Sequence, residues 1–88
     1  MDIFIKPEPY LVMFEVTVKD KVQQQIVEAS RIVLEQEFTR LVNEAANSLL
    51  PAKVKMSRKV PIYDPFDKQI IERENSLVFT NKAWNERN

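Results

Sequence analysis

Asp20 to Pro51, DKVQQQIVEASRIVLEQEFTRLVNEAANSLLP, is the stretch whose reading decides the fold. Asp20 is a good helix N-cap, Gln23 follows three residues on as in a capping box, and no proline or glycine interrupts the chain before Pro51. The pattern predicts one helix from Asp20 to Leu50, about 45 Å long at about 1.5 Å per residue.

Placed at helical spacing, the apolar residues divide into two stripes. Val27, Leu34, Phe38, Leu41, Val42, Ala45 and Leu49 run the full length and are expected to face a sheet. Val22, Ile26, Ala29 and Val33 form a shorter stripe, roughly 140° around the cylinder by the same arithmetic. An apolar helical stripe is seldom left in water, so it has two accounts. Either another part of the chain folds over it, namely Ile3-Phe4-Ile5 or the tail with Trp84, or it is a surface for a partner, including a second copy in a homodimer.

Upstream of this stretch, Tyr10 to Val18 is rich in β-branched and aromatic residues, with Tyr10, Val12, Phe14, Val16 and Val18 on one face. Its first half is apolar on both faces, as in a central strand. Residues 1–9 read as an extended N-terminal arm, because Pro7 and Pro9 remove two backbone donors. Downstream, Val54, Met56, Val60 and Ile62 alternate with Lys55, Ser57 and Lys59, a half-buried strand with a basic outer face. Tyr63-Asp64-Pro65-Phe66-Asp67 reads as a turn. Lys68 to Arg73 and Leu77 to Lys82 then read as a hairpin around Glu74-Asn75-Ser76, with Asn75 at the left-handed position. The expected fold is therefore α+β, a small mostly antiparallel sheet in β-α-β-β-β order packed on one long α-helix. It forms a single domain over residues 10–84, with a frayed tail at 85–88.

At 88 residues, with 44% hydrophobic and 30% charged side chains, the chain has material for one core. It lacks cysteine, so there is no disulfide framework, and a cytoplasmic setting is expected. The start MDIFIKPEPY lacks the basic residue and unbroken apolar run of a signal peptide, and no membrane association is expected.

Histidine, cysteine and glycine are all missing, which excludes the usual zinc, haem and thiol sites, the commonest general base, the P-loop and the dinucleotide fingerprint. Carboxylates and lysines remain. Asp64, Asp67, Glu72 and Glu74 with Lys68 faintly resemble the acids and lysine of a magnesium nuclease, but aspartate and proline are favoured in turns for backbone reasons. No catalytic residue, metal or cofactor is expected.

Thirteen basic and thirteen acidic side chains cancel, which argues against a general nucleic-acid or anionic-membrane binder. They are unevenly placed, with five basic against eight acidic residues in 1–50 and eight against five in 51–88. The functional expectation is a non-catalytic protein-binding module, a regulator, inhibitor or assembly subunit of the kind phages and mobile elements encode. It would bind through Val22, Ile26, Ala29, Val33 and Trp84. The alternative is a weak nucleic-acid binder using Lys53, Lys55 and Lys59 on the basic strand.

Overall fold

The computed structural model describes residues 9–87, and for residues 60–62 the backbone alone. Strands β1 (Tyr10–Val18) and β2 (Lys21–Ala29) form a hairpin, helix α1 (Arg31–Ala46) follows, and strands β3 (Ala52–Asp64) and β4 (Gln69–Thr80) form a second hairpin. A single turn of helix, α2 (Lys82–Asn85), comes last. The four strands make one antiparallel sheet in the order β2-β1-β3-β4. The expected classes of element and the antiparallel sheet are present. The expected order and the long helix are not.

The first correction concerns the opening third of the predicted helix. Lys21–Ala29 is an extended edge strand, in register with β1 along its whole length from Val18↔Lys21 to Tyr10↔Ala29. Lys19 and Asp20 are the tight turn between the strands, so Asp20 caps no helix. The cap is Ser30, whose hydroxyl accepts from the Val33 amide. The helix ends at Ala46 with Asn47 as its C-cap, before Pro51 is reached. Its 16 residues span about 24 Å, roughly half the predicted length.

The second correction concerns the C-terminal hairpin. Glu74-Asn75-Ser76 is not a turn, because β4 runs unbroken across it, with Asn75 opposite Arg58 and Ser76 opposite Ser57. A long continuous partner strand holds these residues extended. The chain reverses instead at Pro65 to Lys68, where the Asp64 carboxylate accepts from the amides of Phe66 and Asp67 at 2.9 and 3.4 Å.

With no glycine available, both reversals place a lysine at positive φ, Lys19 at 55° and Lys68 at 52°. The left-handed region costs a residue with a Cβ about 1 kcal/mol or more. Lys19→Gly is therefore expected to raise the melting temperature by about 3 °C, after allowing for the greater backbone entropy of glycine in the unfolded chain. Thermal unfolding followed by circular dichroism checks this.

The core lies between one face of the sheet and α1. Val12 and Phe14 of β1 pack with Leu34, while Ala52 and Val54 of β3 pack with Ala45, and Phe38 and Leu41 touch both groups. Tyr10, Val16 and Val18 join them, so the inward face read for β1 is the face that α1 covers. Leu49, assigned to the packing stripe, lies past the helix end and is 95% exposed. On the solvent side of α1, Arg40 bonds both Glu37 and Glu44, and its hydrogen bond holds the Glu37 carboxyl below the usual carboxylate range. Exposed pairs of this kind contribute little to stability.

Asn81, just after β4, closes the fold at one end. It is 2% exposed, and its side chain makes four hydrogen bonds. The carbonyl oxygen accepts from the amides of Ala52 and Trp84, at 3.0 and 2.8 Å. The amide nitrogen donates to the carbonyls of Ala45 and Leu50, at 2.9 and 2.8 Å. One side chain thus joins the end of α1, the loop after it, the start of β3 and the start of α2.

Candidate functional site

Two surfaces stand out because the described residues leave much of them exposed. The first is the face of the sheet opposite α1. Strand alternation and register bring Leu11 and Met13 of β1 beside Glu28 and Ile26 of β2, with Thr17 opposite Val22. Leu11, Val22 and Ile26 are exposed, Ile26 by 71%, and Glu15 and Glu28 border them. On the β1–β2 half of this face Glu28 stands beside Leu11, and the hydrogen-bonded Glu15–Gln24 pair lies between Ile26 and Val22. The β3–β4 half is charged, with Lys55 3.4 Å from Glu74 and Lys59 3.9 Å from Glu72 across the strands.

The second surface is the distal part of the β3–β4 hairpin. β3 pairs with β1 only as far as Ser57↔Met13. From Arg58↔Asn75 to Asp64↔Gln69 it pairs, among the described residues, with β4 alone. These seven cross-strand pairs form a two-stranded ribbon about 20 Å long at about 3.3 Å per residue, which helps account for a longest dimension of 48 Å against a shortest of 17 Å. Tyr63 and Ile70 are exposed along it, and Phe66 at its tip is 93% exposed.

At the ribbon's base, on the helix side of the sheet, is a cleft of about 470 Å³. Val12, Leu34, Met56 and Leu77 give it an apolar lining, while Arg31, Glu35, Arg58 and Asn75 supply polar groups. The Arg58 guanidinium stacks on the Tyr10 ring 4.8 Å from its centroid, and Arg31 pairs with Glu35 at 3.0 Å.

The residues assigned to a helical binding stripe are separated by the change of secondary structure. Val22 and Ile26 lie on the open face of β2, Ala29 packs toward the core on the opposite face, and Val33 is exposed on α1. The apolar run Ile3-Phe4-Ile5 lies outside the described residues. Trp84 is half-buried, with Lys53 Nζ 5.7 Å and the Arg87 guanidinium 4.8 Å from its ring centroid. Arg87 in turn reaches Asp20 at 3.5 Å, tying the C-terminal segment to the β1–β2 turn.

The three lysines of the basic strand share the open face, and each has a neighbour within the chain: Trp84 for Lys53, Glu74 for Lys55 and Glu72 for Lys59. Arg58 stacks on Tyr10 on the other face. Of the acidic cluster, Asp64 is engaged by turn amides and Glu72 and Glu74 by lysines. Among the described residues, no group of three or more carboxylates is placed to hold a metal ion, and no helix is long and apolar enough to cross a membrane.

Sequence reasoning did not single out the ribbon, the cleft or Asn81. Asn81 carried a legible signal, since an asparagine before Lys-Ala-Trp is a helix cap. The ribbon did not, because its length depends on where β1 ends against β3. Comparison with known protein families, with curated proteins and with solved structures gives no match to this chain, so its function has to be argued from these two surfaces.

Proposed function

We propose that this chain is a non-catalytic protein-binding module, a small regulator, inhibitor or assembly subunit, that binds its partner on the open face of the sheet. The observation that carries this reading is the apolar strip of Leu11, Val22 and Ile26, exposed on a face that the core does not use. The carboxylates set among these side chains, Glu15 and Glu28, suit an apolar partner surface that also carries lysine or arginine. The neighbours of Lys55 and Lys59 favour a protein partner over nucleic acid, because cross-strand acids offset the charge that phosphates would need.

The test compares wild type with a Val22→Glu, Ile26→Glu double variant, both immobilised and exposed to lysate of the native host. A protein retained by wild type is expected to fall at least about tenfold with the variant, a loss of about 1.4 kcal/mol or more in binding. The circular dichroism spectrum should be unchanged, since neither side chain is in the core. Equal retention by the two overturns the assignment of this face. In a parallel anisotropy titration with oligonucleotides, binding weaker than about 10⁻⁴ M is expected. Tight binding lost on Lys55→Glu, Lys59→Glu would favour the nucleic-acid reading instead.

A further inference from the structure

The cleft at the base of the ribbon opens where β1 and β3 diverge, and the sequence explains the divergence. The two strands keep one register from Val18↔Ala52 to Met13↔Ser57, and carrying it on would set Pro9 against Pro61. That is a hydrogen-bonding position, since it shares the parity of Lys19, whose amide donates to the Pro51 carbonyl in the same register. Neither proline has an N–H to give, so the ladder gains no bond there and the strands separate. The start of α1 supplies the remaining wall through Arg31, Leu34 and Glu35. We infer that this cleft binds a small amphipathic carboxylate, an apolar body with one anionic head, and that Arg58 receives the head. The site lies on the helix side of the sheet, away from the open face.

The size, the lining and the charge of the cleft carry the assignment. Its volume of about 470 Å³ falls within the roughly 300–1,000 Å³ usual for small-molecule pockets. Val12, Leu34, Met56 and Leu77 make the lining apolar. Leu77 is 54% exposed, so an apolar ligand removes from water a surface that the described core leaves wet.

The charge is one-sided. The Arg58 guanidinium lies over the Tyr10 ring, which occupies its face and leaves its N–H edge for a planar anion. A carboxylate matches that edge with two parallel hydrogen bonds. Arg73 is two residues from Asn75 on the same side of β4, and Asn75 pairs with Arg58, so the two arginines are diagonal neighbours across the ribbon. Neither has a carboxylate partner among the described residues. Glu35, the acid of the lining, is engaged by Arg31 at 3.0 Å. An apolar floor beside two uncompensated guanidinium groups suits an anion with an apolar tail and disfavours a cation.

Calorimetric titration of the full chain with decanoate, below its micellar range, tests the assignment against decylammonium, which has the same tail and the opposite charge. Decanoate is expected to saturate one site with a dissociation constant below about 1 mM, and decylammonium to bind at least about tenfold more weakly. Arg58→Gln is expected to weaken decanoate at least about tenfold and leave decylammonium no weaker, whereas Leu77→Ser weakens both. Both positions are exposed, so the circular dichroism spectrum should not change. Arg73→Gln repeats the charge test without disturbing the Tyr10 stack and is expected to weaken decanoate about threefold. In the amide NMR spectrum the largest shifts on adding decanoate are expected at Leu34, Ser57 and Leu77. No saturable binding at millimolar decanoate overturns the site. So does equal affinity for the two amphiphiles that Arg58→Gln leaves unchanged, and so do shifts centred on Val22 and Ile26, which would move the ligand to the open face.

Discussion

Replacing Asn81 by aspartate is expected to destabilise the protein by about 3–5 kcal/mol, the range found when a buried polar network is broken on one side. The substitution is nearly isosteric, so the effect is not a matter of volume. The carboxylate still accepts from the amides of Ala52 and Trp84, but it has lost the donor that meets the carbonyls of Ala45 and Leu50. Two lone-pair oxygens then face a negative charge at a site that is 2% exposed. Ser48 continues to donate to both carbonyls, which limits the loss on their side, so most of the cost comes from the buried charge. The folded state tolerates the aspartic acid best when it is protonated, so its folded pKa lies above its unfolded one. The stability this proton confers is complete below the unfolded pKa and is lost as pH rises through the folded value. The deficit relative to wild type should therefore narrow toward acid pH. Asn81→Ala, which loses all four hydrogen bonds but adds no charge, should show no such narrowing. Urea unfolding of the three proteins at pH 7 and pH 5 measures both effects.

Why Asn81 was invisible as a structural hub, while β1 was legible to the residue, follows from the range of the forces involved. Tyr10 to Val18 alternates because one of its faces is covered by α1, and burial leaves a period-2 record in the sequence. In the same way Leu34, Phe38, Leu41 and Ala45 record the covered side of α1. β2 leaves no such record. As an edge strand it buries little on either face, so Lys21, Gln23 and Gln25 occupy its helix side and Val22 and Ile26 its open side. Its glutamines and its 22, 26, 29, 33 spacing fit a helix better than a strand, and local propensity favoured the helix. What overrides propensity is non-local, the full-length pairing with β1 and the turn at Lys19, whose amide donates to the Pro51 carbonyl. The continuity of β4 is non-local too, because Glu74-Asn75-Ser76 is held straight by β3. The candidate surfaces share this origin. Val22 and Ile26 are exposed apolar residues outside the core groups, and the partners that decide where they point are strands elsewhere in the chain.

Phe14→Ala is expected to cost about 3–5 kcal/mol, which is a large part of the roughly 5–10 kcal/mol that a domain of this size has in total. Phe14 is 2% exposed and packs with Val12 and Leu34 where α1 crosses β1. Truncation removes the aromatic transfer energy and leaves a cavity that the rigid strand pairs on either side, Gln25 and Met56, cannot close. The instructive comparison is with Ile26→Ser, on β2 and facing away from α1. Ile26 is of similar apolarity but 71% exposed, and its loss is expected to change stability by less than about 0.5 kcal/mol. Equilibrium unfolding of the two variants separates side chains that hold the fold from side chains that do not. If Ile26→Ser proved as costly as Phe14→Ala, the open face would be part of the stability of the chain and could not be assigned to a partner. The expected difference of several kcal/mol leaves the apolar strip free to bind, which is the condition the proposed function requires.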